Sequence, residues 1–492
     1  MNVPARHALV AIAIVVLALV LYVPAFSNGH GWAMDDFKTF YCSGRVLLEG
    51  ENPYDTIPLA ACESQPAPRP IFVARPGFVL PAPLPGYAIA GFAIVALVPF
   101  LPAVFLWICA LLAATLASIT LLSRLTSANV WAIAAAFSTA LVAISFAVGE
   151  LVPICLLGIV LTAWAVYRTP PTRAALALAG CGVALAFAEP QVGAAVAIAC
   201  ALVSWRFAIS TGVAIAALTI ISLAVLGIAG NVAYVRDVLP AHVLSELPAY
   251  FQYSLSWLLN RLGMPAGLAL SIGQLQWITM LVATGLFARA QLARAHPEIA
   301  VLAAPAFAVT GGPFLHLDHV ALALPAAIWL AASSPKPSAW QTAAIIALAV
   351  PLLQLLLLLR WIPLDVILAF IVVVAAWLGF AFGRSLRACV YSASAATLFV
   401  AAVAVSLVVG GFGFVTPATA QALPSAMPQA SWAHFVATHY VMTAWPVWLV
   451  KAPTWFGIAA TASGLIVAAY TAKRDIAAPP VHGRDVGDIV AV

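Results

Sequence analysis

Charge is what this sequence has least of. Lys, Arg, Asp and Glu make up 8% of its 492 residues, against about 25% in soluble domains. That shortfall excludes an ordinary water-soluble globular chain. With 64% hydrophobic residues and a mean hydropathy of +1.08, lipid is the expected solvent. The short alternating segments of a transmembrane barrel are also missing. Apolar residues come instead in runs of about 20, the length of a membrane-crossing helix. No cysteine or histidine spacing makes a zinc site, and no internal repeat of the kind that builds many transporters is visible. The net charge of +5 is spread over loops between apolar runs, so it is a topology signal and not one for nucleic acid.

What is present reads as an all-α polytopic membrane protein of about 12–14 spans. The expected spans are 7–26, 103–122, 130–148, 152–168, 174–189, 191–206, 208–229, 266–286, 298–315, 319–333, 340–359, 364–383, 389–411 and 454–471. The first run, within Met1–Phe26, is read as a retained span and not a cleaved leader, because it exceeds the usual apolar length and Pro24 crowds the cleavage position. Leu80–Pro99 is apolar too, but Pro81, Pro83, Pro85 and Pro99 break its start. Treating it as re-entrant or interfacial gathers 13 of the 21 basic residues on the side of Arg6, most of them in short loops, in accord with the positive-inside rule. Of the 16 carboxylates, 12 then fall on the opposite side, although the rule never used them. The working face is therefore expected to be extracytoplasmic, with both termini cytoplasmic, in what reads as a bacterial inner (plasma) membrane.

A single integral-membrane domain is expected over 1–472, with outer segments at 27–102, 230–265 and 412–453 and a disordered cytoplasmic tail over 473–492. Cys42 and Cys62 share the first outer segment, where a disulfide is one open reading. Cys109, Cys155, Cys181, Cys200 and Cys389 fall in spans and read as packing residues.

The chemistry-bearing residues gather at the outer ends of spans. The stretch Trp32–Tyr41 carries Asp35 and Asp36 among Trp32, Phe37, Phe40 and Tyr41. Adjacent carboxylates repel, so one of them is a candidate base, and the aromatics suit an interface or a sugar-stacking surface. Asp36 is the first choice and Asp35 the reserve. Glu150 and Glu189 each end a span, Gln191 follows Glu189, and His316, Asp318 and His319 crowd a short turn between spans. His-x-Asp-His is not a recognised metal pattern, so sugar or phosphate binding is the reading taken there. Arg45, Arg75 and Arg261 are outer cations that could meet a phosphate.

In this order the motifs resemble glycosyltransferase family 87, integral-membrane enzymes of the GT-C superfamily. The likeness is carried by Asp36-Phe37 after the first span, the turn Gly50-Glu51-Asn52-Pro53-Tyr54, the proline-rich Leu80-Pro81-Ala82-Pro83-Leu84, the element Phe251-Gln252-Tyr253-Ser254-Leu255, and Asp318 before an apolar run. It runs over about residues 7–335. Two positions depart from the family pattern: Gly149-Glu150 stands where it has Gly-Gln, and Glu189-Pro190 where it has Lys-Pro. The cationic role of that lysine would pass to Arg45, Arg75, His316 or His319.

The resemblance implies a GT-C-like bundle with outer-face interfacial helices. It further implies inverting transfer of a hexose, expected to be mannose, from a polyprenyl-phosphate donor to a lipid or glycan acceptor. Asp36 or Asp35 would be the base, and Tyr54 and Gln252 would join the binding residues named above. No cofactor is called for. A transporter or flippase of lipid-linked sugars is the rival class, but it predicts charges near span midpoints and here they crowd one side. A GT-C enzyme for a different sugar is the nearer alternative.

Overall fold

The computed structural model describes residues 8–17, 34–65, 79–139, 145–167, 171–292, 296–334, 336–350, 363–410, 420, 422–442 and 445–477. Among these residues the chain is all helix and connection, with one isolated β-bridge between Gln252 and His316. Six helices are long and apolar enough to cross a membrane: Phe100–Thr126, Trp205–Glu246, Ala266–Leu292, Leu364–Gly383, Leu386–Ser406 and Val447–Tyr470. The protein is an all-α polytopic membrane protein.

Shorter apolar helices pack between these six, and glycine sets how closely some of them pack. Val152–Tyr167 lies beside Arg173–Ala186, and a side-chain carbon built on Gly158 would come within 2.4 Å of the Ala186 backbone nitrogen. Where lipid removes the hydrophobic drive between helices, close backbone approach of this kind supplies the attraction. The helix Arg173–Ala186 ends sooner than the apolar run 174–189, and Pro190 opens the next helix at its first position. Of the expected spans 7–26, 130–148 and 340–359, the helices Ala8–Leu17, Val130–Ser138 and Ala339–Ala349 are described, and the rest of each lies partly outside the described residues.

Two of the segments expected between spans carry helix. The stretch 230–265 is helical through Glu246 and again over Leu255–Arg261. The apolar span simply continues: non-helical dihedrals at Gly227 break it, and Asn231 bridges the break by donating to the carbonyls of Ser222 and Gly227. Within 412–453, Pro428–His439 is helical and the last long helix already starts at Pro446. That helix runs through Ala477, and the remainder of the tail lies outside the described residues.

The Leu80–Pro99 stretch forms a helix only over Gly86–Val95. Ten residues rise about 15 Å, half the hydrocarbon thickness, so it cannot cross. It packs on Asp35–Leu48, and together they carry an apolar core of their own around Phe37, Phe40, Tyr41 and Phe92, separate from the main core. A disulfide between Cys42 and Cys62 ties Asp35–Leu48 to the helix Thr56–Glu63.

Candidate active site

Asp35 and Asp36 form the first turn of Asp35–Leu48, where carboxylates favour the positive end of the helix dipole. Met34, in the left-handed conformation, caps it and donates its backbone N–H to the Ala147 carbonyl at 2.6 Å. Phe37 is fully buried and stacks on Trp107 with ring centres 5.6 Å apart. Trp107 in turn donates to the Gly149 carbonyl at 2.8 Å. Gly149 has φ +86°, and a side-chain carbon there would meet the Phe37 Cβ at 2.5 Å. The acidic turn and the turn bearing Glu150 are thereby pressed together through backbone and Phe37.

Four carboxylates act on Asp36. Burial, followed by the charges of Glu150, Asp35, Asp318 and Glu246, holds the Asp36 carboxyl well above the ordinary aspartate range. Glu150 is pushed up to about 8 by burial and by Asp318 and Glu189, with His319 and His316 opposing. Asp318 is 4% exposed, and its Oδ2 has no hydrogen-bond partner among the described residues.

Beside these lie two carboxylate–histidine pairs. His316 Nε2 is 2.5 Å from Glu246 Oε2, and His319 Nε2 is 3.2 Å from Glu189 Oε2. The two imidazoles are nearly parallel, with centres 5.5 Å apart. Burial alone would lower the affinity of His316 for its proton, but Glu246 and Asp318 outweigh it and the net direction is up. Glu246 also accepts from Trp432 Nε1 at 2.6 Å and from Gln252 Nε2 at 3.1 Å. Gln252 Oε1 accepts from the Leu315 N–H, so one side chain joins the Glu246 helix to the histidine turn. Gln191 donates to Glu189 at 3.0 Å.

Arg45, Arg261 and Tyr54 are engaged with other partners. Arg45 is exposed and pairs with Glu49 at 2.7 Å, one helical turn on, so it is spent on a local pair and not on the acidic centre. Arg261 donates to the Met442 carbonyl. Tyr54 is buried, donates to the Leu84 carbonyl and stacks on Tyr234. Arg75 and Trp32 lie outside the described residues.

Two participants had not been singled out from the sequence. From the sequence Glu246 is one of the 12 carboxylates on the side opposite Arg6, although an acid on an apolar run is a functional candidate by default. Trp432 is separated from Glu246 by 186 residues and carries no local signal. Among the described residues no three His, Cys, Asp or Glu side chains are grouped to hold a metal ion. The arrangement can remove a proton from a hydroxyl at Asp36 and offer imidazole donors to a developing anion.

The model of glycosyltransferase family 87 matches residues 85–317. That stretch includes Glu150, Glu189, Glu246, Gln252 and His316, and leaves out Asp36, Asp318, His319, Trp432 and the helices after them. No curated protein and no solved structure matches the chain significantly.

Proposed function

Because this chain belongs to glycosyltransferase family 87 and is a membrane glycosyltransferase, we propose that it moves a hexose, mannose by the family resemblance, from a polyprenyl-phosphate donor to a lipid or glycan acceptor on the extracytoplasmic face of the membrane. The observation that carries this reading is the convergence of Asp36 with Glu150, Asp318 and the Glu246–His316 pair at the end of the bundle. The family is one of glycosyltransferases, so the transporter reading is set aside.

Asp36, as carboxylate, takes the proton of the acceptor hydroxyl. The acceptor oxygen forms its bond to the anomeric carbon from the face opposite the phosphate. The bond from that carbon to the phosphate oxygen breaks, and its electron pair leaves on the lipid phosphate, so the anomeric configuration inverts. His316 and His319 are placed to receive that phosphate, since their carboxylate partners Glu246 and Glu189 favour the protonated rings. Phosphate binding passes to these imidazoles in place of the lysine that Glu189 replaces. The Cys42–Cys62 disulfide supports the extracytoplasmic assignment, because such bonds persist on the oxidising side. GT-C-like architecture, one domain over 1–472 and cytoplasmic termini belong to the same proposal.

The test is transfer from a polyprenyl-phosphate sugar by purified protein. Asp36→Asn is expected to lower turnover by about 10³-fold while donor binding persists. Near-normal turnover in Asp36→Asn with an inactive Asp35→Asn would move the base by one residue. Activity in both variants would end the proposal.

A further inference from the structure

We infer that Lys451, on the last long helix and outside the stretch the family model matches, is a positioning residue for the Glu246–His316 pair, acting through the backbone of Gln252. The inference rests on that pair being part of the proposed site.

Lys451 is 0% exposed, yet no carboxylate stands within ion-pair distance of it among the described residues. Its Nζ lies over the Trp257 ring, 3.2 Å from the centroid, with Tyr253 at 4.8 Å and Trp455 at 5.8 Å. Aromatic faces recover part of what an ammonium loses on leaving water, but a hydrocarbon side chain would fill the same space without that loss. What a hydrocarbon cannot do is donate, and Nζ donates to the Gln252 carbonyl at 2.5 Å.

Gln252 is the residue through which the site is joined. Its side chain holds Glu246 and the Leu315 N–H, its backbone forms the bridge to His316, and the next residue, Tyr253, donates to the Leu315 carbonyl at 2.7 Å. A pairing this short has little stability of its own. Its other edge, at the Gln252 carbonyl, is occupied by Lys451, and Trp455 Nε1 donates to the next carbonyl, that of Tyr253, at 3.0 Å. The C-terminal helix thus stands where a sheet would supply a second neighbouring strand. With that edge released, Gln252 is free to shift, and Glu246 loses its fixed position against the His316 ring.

The experiment follows His316 itself, by NMR titration of histidine-labelled full chain in detergent micelles, with its signal assigned by its loss in His316→Gln. In the native chain His316 is expected to titrate above the ordinary histidine range. In Lys451→Met the midpoint is expected to move roughly one pH unit back toward that range. Trp455→Phe removes a single donor from the neighbouring carbonyl and is expected to produce a smaller shift of the same sign, and it serves as the test if Lys451→Met does not fold. Lys451→Arg, which keeps an N–H donor, is expected to restore most of the native midpoint. An unchanged His316 midpoint in folded Lys451→Met, or in Trp455→Phe where it stands in, makes Lys451 a packing residue and overturns the inference. This readout needs no sugar transfer, so it stands or falls separately from the Asp36 experiment.

Discussion

Glu246 and Asp36 belong to one cluster but stand in contrasting surroundings. Glu246 is met by His316, Trp432 and Gln252, with His242 3.8 Å away, and Glu189 by His319 and Gln191. On the other side burial and the charges of Glu150 and Asp318 raise Asp36, burial and Asp318 raise Glu150, and Asp318 Oδ2 has no partner among the described residues. Buried carboxylates fully met by donors fix geometry. Buried carboxylates left to repel hold protons and stay reactive. One half of the site is a frame, and the other is where a proton can be exchanged.

The largest expected effect breaks the frame. Glu246→Gln weakens a buried ion pair and turns one acceptor of the His316–Trp432–Gln252 set into a donor. It is expected to cost about 3 kcal/mol of stability, seen as a lowered unfolding midpoint in detergent. A variant as stable as the native chain would show that the two halves do not differ in this way. Glu150→Gln probes the reactive half, and there the expected change is in pH dependence instead. An ionised Glu150 opposes ionisation of Asp36, and an amide does not. The acid limb of the transfer rate should therefore move to lower pH by about one unit. A limb that stays in place would detach Glu150 from the base.

The remaining effect is on stability against pH. Glu150 and Glu63 both sit at about 8 in the folded chain, Glu63 chiefly through burial, against about 4.3 when unfolded. Between those values the folded chain binds more protons than the unfolded one. Their contribution is thus full below about 4.3 and is lost as pH rises through about 8. The thermal midpoint should fall between pH 5.5 and 8.5, and Glu63→Gln should flatten that slope. A midpoint that rises over the same interval would contradict both assignments.

The sequence announces the reactive half more clearly than the frame. Asp36, Glu150 and Asp318 are carboxylates at the ends of apolar runs, and in so apolar a chain such a position is itself a signal. The half-helix Gly86–Val95 was legible for the same kind of reason, because proline density limits where a helix can start. The frame depends on contacts between distant segments, such as Trp432 with Glu246 and Lys451 with Gln252, which no local pattern encodes. The partner of Arg45 is legible from local spacing. Glu49 stands four residues on, the spacing at which a helix pairs opposite charges. The expected span 208–229 stops short of Glu246, whereas Asn231 carries the Trp205 helix past the break at Gly227.

The contact between Gly149 and Phe37 bears on how this site can vary. Between Asp36 and Glu150 there is backbone, one aromatic Cβ and a glycine that has no room for a side chain. The distance between the two chain segments is set like a machined gap, with tolerance only in the side chains beyond it. What remains adjustable between these two acids is chiefly which of them carries the proton.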